Sequence, residues 1–183
     1  MLRTWSGPEG SSHMDLCLGV PFLILMKTPE YFMKLALKEA EKAQKIDEVP
    51  VGCVIVQDDK VIARGHNQKE KKQQAILHAE IVAIQKASRK LGNWNLKDCD
   101  LYVTLEPCMM CTGAIIQSRI RNVYYGTEDP KGGCTDTLID IRKLERINHH
   151  PGIYSGVMKE ECANILKEFF KNKRKTKKLE QNA

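Results

Sequence analysis

Hydrophobic positions along the chain change period several times, and each change marks an element. Thr28-Pro29-Glu30 combines a capping hydroxyl, a proline suited to the first helical position and a first-turn acid. Phe32, Leu35, Ala36, Ala40 and Ala43 follow at helical spacing, which predicts an amphipathic helix to about Ile46. Residues 51–57 are apolar and β-branched, Asp58-Asp59 makes a turn, and residues 60–64 continue as a second strand, so the pair reads as a hairpin. Residues 67–77 are polar and charged, a loop of the kind that carries function on a rigid scaffold. A helical pattern returns over residues 78–91 through Ile81, Val82, Ile84 and Ala87, and Gly92-Asn93 stops it.

The second half repeats the alternation. Residues 101–105 predict a short buried strand, 107–118 a helix, and 122–125 another strand. Residues 126–137 are the richest in turn formers, and a loop of that length inside a small domain is functional or mobile. Residues 137–144 predict a short helix and 153–157 a last strand or extended segment, while Cys162, Ile165, Leu166, Phe169 and Phe170 mark the apolar face of a final helix. Strands alternating with helices imply an α/β layer architecture with at least part of the sheet parallel.

Composition adds limits. With 183 residues, 42% hydrophobic and 28% charged, the chain falls in the ordinary globular class and one domain is the default. No apolar run is long enough for a membrane span. The net charge of +6 is concentrated at the end: six of the eight residues 171–178 are basic against one acid, Glu180, so the segment after Phe170 holds five of the six charges. Such a run is a solvated tail or a partner for an acidic polymer such as nucleic acid. Seven cysteines, odd in number and irregular in spacing, argue against a closed disulfide framework and for a reducing compartment. Residues 16–25 imitate a signal-peptide core but are interrupted by Gly19 and Pro21, and Gly10-Ser11-Ser12-His13-Met14 looks like a cloning scar. Residues 1–25 are therefore expected to be cloning-derived or accessory, with an export signal as the alternative, 26–170 the working domain and 171–183 a basic tail.

Chemistry concentrates at two places. Cys108 and Cys111 stand three residues apart at a predicted helix start, where free N–H groups and the helix dipole favour thiolate. Zinc, a redox disulfide and chance all accommodate that spacing. His78, at the start of its own helix, supplies a third ligand, and a His plus two Cys set suits a zinc ion with its fourth position open, as in catalytic sites. Glu80, two residues on, is better used as a proton carrier than as a fourth ligand; the alternative is a first-turn acid that only favours the dipole. His-x-Glu followed by Pro-Cys-x-x-Cys is the signature of zinc nucleobase deaminases. Cys53, Cys99, Cys134 and Cys162 lack ligand spacing and read as buried small hydrophobes.

The resemblance goes further than that signature. Glu48-Val49-Pro50-Val51-Gly52, His78-Ala79-Glu80, Tyr102-Val103-Thr104-Leu105-Glu106-Pro107-Cys108-Met109-Met110-Cys111, Asp129-Pro130-Lys131-Gly132-Gly133-Cys134 and Phe169-Phe170 together resemble the bacterial tRNA-specific adenosine deaminases (TadA) of the cytidine/deoxycytidylate deaminase superfamily. The likeness spans about residues 29–175. It implies a three-layer α/β/α cytidine-deaminase-like fold, with a central mixed sheet of about five strands and helices on both faces. It implies hydrolysis of a cyclic amidine C–N bond: adenosine to inosine at the wobble position of a tRNA anticodon. One zinc ion per subunit would be held by His78, Cys108 and Cys111, zinc-bound hydroxide would attack C6, and Glu80 would shuttle protons.

By the same resemblance, Asn67 would hydrogen-bond the flipped nucleotide, Val51 would wall the base, and Leu105, Glu106 and Pro107 would present backbone groups to the substrate edge. Asp129, Lys131, Gly132, Asn148 and His149 would contact the RNA, and Lys171, Lys173, Arg174 and Lys175 its phosphates. Blander roles are open to several of these: Asn67 and Asp129 as turn formers, Val51 as core. The expected partner is a tRNA anticodon stem-loop, the expected assembly a cytoplasmic homodimer with no membrane contact. The rivals are a free-base enzyme such as guanine or cytosine deaminase, and a zinc-stabilised RNA-binding module without activity, which would be expected to lack Glu80.

Overall fold

The computed structural model describes residues 27–181, so the expected accessory segment, residues 1–25, lies outside the described residues. Helix α1 (Pro29–Lys45) starts at Thr28, whose hydroxyl accepts from the Tyr31 backbone N–H. The hairpin follows as β1 (Gly52–Gln57) and β2 (Lys60–His66). Asp58 and Asp59 at its tip both have positive φ, 48° and 56°, the backbone sense that matches the strand twist in a two-residue turn. Then come α2 (Lys69–Lys72), α3 (Ala79–Leu91), β3 (Asp100–Leu105), α4 (Met109–Gln117), β4 (Asn122–Thr127), β5 (Gly152–Tyr154) and α5 (Lys159–Gln181).

The strands form one sheet in the order β2-β1-β3-β4-β5. β1 runs antiparallel to both β2 and β3, whereas β3, β4 and β5 are parallel, so the sheet is mixed. Alternation along each strand sorts the core onto two faces. Cys53, Ile55, Leu101, Val103, Val123 and Tyr125 pack with Ala79, Ala83 and Ala87 of α3 and Ile115 of α4. Val54, Val56 and Tyr102 point the other way, against Phe32, Met33 and Ala36 of α1 and Cys162 of α5. The result is the α/β/α layering and five-stranded mixed sheet expected from the sequence. No helix among the described residues is long and apolar enough to cross a membrane.

Three local expectations change. Within 137–144 only Ile141–Lys143 is helical, a single 3₁₀ turn capped by the Asp140 carboxylate; the preceding residues 135–137 are held elsewhere, by Glu106. The polar loop 67–77 contains the short α2, ended by Gln73 in the left-handed region. The basic segment after Phe170 continues α5 as helix to Gln181.

Small residues set how closely the site-bearing helix approaches the sheet. A Cβ at Gly65 of β2 would stand 2.1 Å from the Ala79 carbonyl oxygen and 2.8 Å from the Ala83 nitrogen, both backbone atoms of α3 that no rotamer change can move. Gly65→Ala is therefore expected to lower stability by about 1–3 kcal/mol in urea unfolding, and unchanged stability would mean that α3 is free to lift.

Candidate active site

His78 is the N-cap of α3 and Cys108 the N-cap of α4, both in extended backbone conformation, and Cys111 sits in the first turn of α4. Two helix N-termini thus converge where β3 ends. His78 Nδ1 lies 3.6 Å from Cys108 Sγ and 3.6 Å from Cys111 Sγ. All three donor atoms are within 4.8 Å of one another. A tetrahedral zinc with Zn–S near 2.3 Å and Zn–N near 2.0–2.1 Å places nitrogen and sulfur about 3.6 Å apart, so donor types and spacing both fit that ion.

The thiols and the imidazole perturb one another. Hydrogen bonding from Cys111, aided by His78, brings the Cys108 thiol down to about 4, a thiolate across the neutral range. Cys111 is correspondingly pushed up by its hydrogen bond with Cys108 and by burial, so the pair shares one proton. Glu80, only 4% exposed in the first turn of α3, has its carboxyl raised above the ordinary range by burial, the effect expected of a carboxylate under apolar cover.

His78, Glu80 and Cys108 line a cavity of about 190 Å³ together with Val51, Asn67, Leu105, Glu106 and Asp129, with Cys111 buried behind them. Val49, Lys69 and Ala79 complete its wall and were not singled out from the sequence. Pro107 turns its carbonyl away, accepting from the Cys134 N–H at 2.9 Å and the Thr112 hydroxyl at 3.3 Å. Asn67 is held from behind by Glu48, a fully buried carboxylate that accepts from Asn67 Nδ2 at 3.3 Å and from the Lys71 N–H at 2.6 Å. Because a carboxylate only accepts, it fixes the amide: Nδ2 faces Glu48, and Asn67 Oδ1 is left buried without a partner. Glu48 lies in a quoted motif, but a buried orienting carboxylate has no signature in hydropathy.

A larger groove of about 710 Å³ adjoins the cavity and shares Val49, Leu105 and Asp129 with it. Lys131, Lys167, Phe170 and Arg174 line its far side. Gly132 sits behind, against the Asp129 carboxylate. On α5, Lys171 and Lys175 are exposed, whereas Lys173 is paired with Asp47 and lies 5.7 Å over the Phe169 ring. Asn148 and His149 are not brought to the cavity. The Asn148 carbonyl accepts from Arg119 and the His149 ring bonds the Ile120 carbonyl at 2.6 Å, at the start of β4, roughly 17 Å of strand from the site.

Fold and site together define a hydrolytic deaminase. The family model for MafB19-like deaminases matches residues 26–174. A tRNA-specific adenosine deaminase of Bacillus subtilis is 48% identical over 153 residues, covering 84% of this chain and 95% of the relative. One of Agrobacterium fabrum is 46% identical over 79% of this chain and 95% of its own. A solved structure from work on A-to-I editing by tRNA:A34 deaminases superposes with a TM-score of 0.72 at 46% identity, over 74% of this chain and 99% of that one. A guanine deaminase of Bacillus subtilis aligns over 56% of this chain and 66% of its own, with a TM-score of 0.54 at 39% identity. The chain belongs to the MafB19-like deaminase family, alongside the tRNA-specific adenosine deaminases.

His78, Cys108 and Cys111 could together hold a metal ion. Stripping the metal with a chelator is expected to lower the thermal midpoint, since a ligand present at a hundred times its Kd contributes about 2.7 kcal/mol. Cys108→Ser is expected to reduce bound zinc to near zero by elemental analysis; full zinc occupancy in that variant would mean the ligands are misassigned.

Proposed function

We propose that the protein converts adenosine to inosine at the wobble position of a tRNA anticodon, as a zinc enzyme working in the cytoplasm. The observation that carries this is the His78, Cys108 and Cys111 cluster at zinc spacing, beside the buried Glu80, in a cavity that opens into a cation-lined groove. A zinc ion held there supplies the Lewis acidity that makes water a nucleophile near neutral pH. Glu80 takes a proton from the attacking water, delivers it to N1 of the purine, and carries the second proton to the departing amine. Oxygen bonds to C6, the C6–N6 bond breaks, and ammonia leaves. Burial raises the Glu80 carboxyl above the ordinary range, the direction that favours its taking up a proton.

The chain's other residues bind and orient. Val51 and Leu105 wall the base, and the unpartnered Asn67 Oδ1 accepts a hydrogen bond from the flipped nucleotide. Phe170 is 44% exposed in the groove, offering a face on which a neighbouring base stacks. Lys131, Lys171, Arg174 and Lys175 meet phosphates. A homodimer is supported by Met109, Ile76 and Leu138, exposed by 65%, 53% and 55%. All three lie within a few residues of His78, Cys108 and Gly133, so a second subunit covering them would close over the mouth of the site.

Incubation with an anticodon stem-loop carrying a wobble adenosine is expected to yield inosine by mass spectrometry, and Glu80→Gln to lose about 10²–10⁴ or more in rate while keeping its zinc. Release of ammonia from free guanine with the stem-loop left intact would instead establish a free-base enzyme. Arg174→Ala is expected to weaken stem-loop binding and reduce its salt slope by about one. Lys173→Ala, whose ammonium is engaged by Asp47, is expected to do so less.

A further inference from the structure

Glu106 follows directly after β3 and precedes Pro107 and Cys108, and it is 2% exposed. Its carboxylate is surrounded by donors from a single loop. Oε1 accepts from the backbone N–H groups of Thr135 at 3.2 Å, Asp136 at 3.0 Å and Thr137 at 3.0 Å, and from the Thr135 hydroxyl at 3.1 Å. Oε2 accepts from the Asp129 N–H at 3.2 Å and from the Thr137 hydroxyl. Six donors fill a group with about four lone-pair sites, so the side chain has no capacity left for a ligand. Gly133 passes directly over it, where a Cβ would stand 2.2 Å from Oε2.

The two ends of the loop are thus tied to one point. Between them lie Pro130 and Lys131, which line the groove, and Asp129, which lines both groove and cavity. We propose that Glu106 is a positioning residue: it holds residues 129–137 so that Asp129 stands at the junction of cavity and groove and Lys131 on the groove wall, and it thereby sets how RNA flanking the target is gripped, without touching the base. This rests on the RNA-deaminase reading above.

Glu106→Gln replaces one acceptor oxygen with an NH₂ group facing several N–H donors, and leaves buried donors unmatched. It is expected to raise KM for a wobble-adenosine stem-loop by about tenfold or more, with kcat changed by less than about threefold and zinc content unchanged. Thr137→Val, which removes one bond from the loop side, should move KM the same way by less, and the double variant should be no worse than Glu106→Gln alone, because both remove one network. In the substrate-free protein, amide hydrogen exchange at Asp129, Thr135, Asp136 and Thr137 should quicken in Glu106→Gln, and at the same amides to a lesser degree in Thr137→Val. A fall in kcat with KM unchanged, loss of zinc, strictly additive effects, or unchanged exchange at those amides would each overturn the proposal. If the wild-type protein leaves the stem-loop unreacted, it is the substrate reading that fails, and the exchange measurement still decides the role of Glu106.

Discussion

The site depends on two helices beginning at the same place. α3 and α4 start at His78 and Cys108, and their N-termini bring two partial positive charges onto one spot. That field favours the Cys108 thiolate and an anionic Glu80, which burial alone would oppose. The convergence is enforced on the other side by packing. Gly65 lets α3 lie against β2, the Ala79, Ala83 and Ala87 stripe keeps it close, and β3 runs straight into Pro107 and Cys108. A metal cluster needs three donors held to a fraction of an ångström, and the sheet supplies that rigidity.

Around this point the fold buries several carboxylates and gives each a different task through its company. Glu80 has few fixed donors, and burial dominates, so its affinity for a proton rises. Burial also pushes Glu106 upward, but hydrogen bonds from Thr137, Asp136 and Asp129 outweigh it and hold the carboxyl below the ordinary range. The first is suited to carrying protons and the second to remaining charged as a fixed anchor. Glu48, fully buried, accepts one bond from the Asn67 side chain and one from the backbone of α2, and orients an amide. Hydropathy treats all three as the same polar letter.

That difference explains what was legible in the sequence. Alternation and helical spacing placed every strand and the first three long helices to within a few residues, because those patterns are themselves records of which side faces the core; the end of α5, which carries no apolar face beyond Phe170, was missed by eleven residues. The proposed metal ligands His78, Cys108 and Cys111 and the proposed proton carrier Glu80 stood out in the sequence because metal ligation and proton transfer would demand particular residue types at helix starts. The anchoring roles of Glu106 and Glu48 did not, since their partners are backbone N–H groups and side chains of residues 67–71 and 129–137, whose path no local pattern encodes. Lys173 looked like one cation among six, and only the fold reveals that Asp47, 126 residues earlier, claims it. His149 was carried over from a motif, but here its ring is tied to the Ile120 carbonyl at the far end of β4.

The shape of the site bears on the proposal that a polymer, and not a free base, is the substrate. A pocket built for a free base closes around it, burying most of its surface. Here the cavity that holds the reacting groups and the much larger groove share Val49, Leu105 and Asp129 as a common edge. A ligand seated against Glu80 must therefore continue past that edge or leave it open to water. What it meets beyond is Phe170, with an exposed ring, and the cations Lys131, Lys167 and Arg174, while the acid on that wall, Glu128, is paired with Lys159. Leu166, Phe170 and Arg174 are four residues apart along α5, so they form one stripe leading away from the cavity. One base extruded into the small cavity, its neighbours stacked and its phosphates neutralised in the groove, satisfies both spaces at once. A free purine would satisfy only the first.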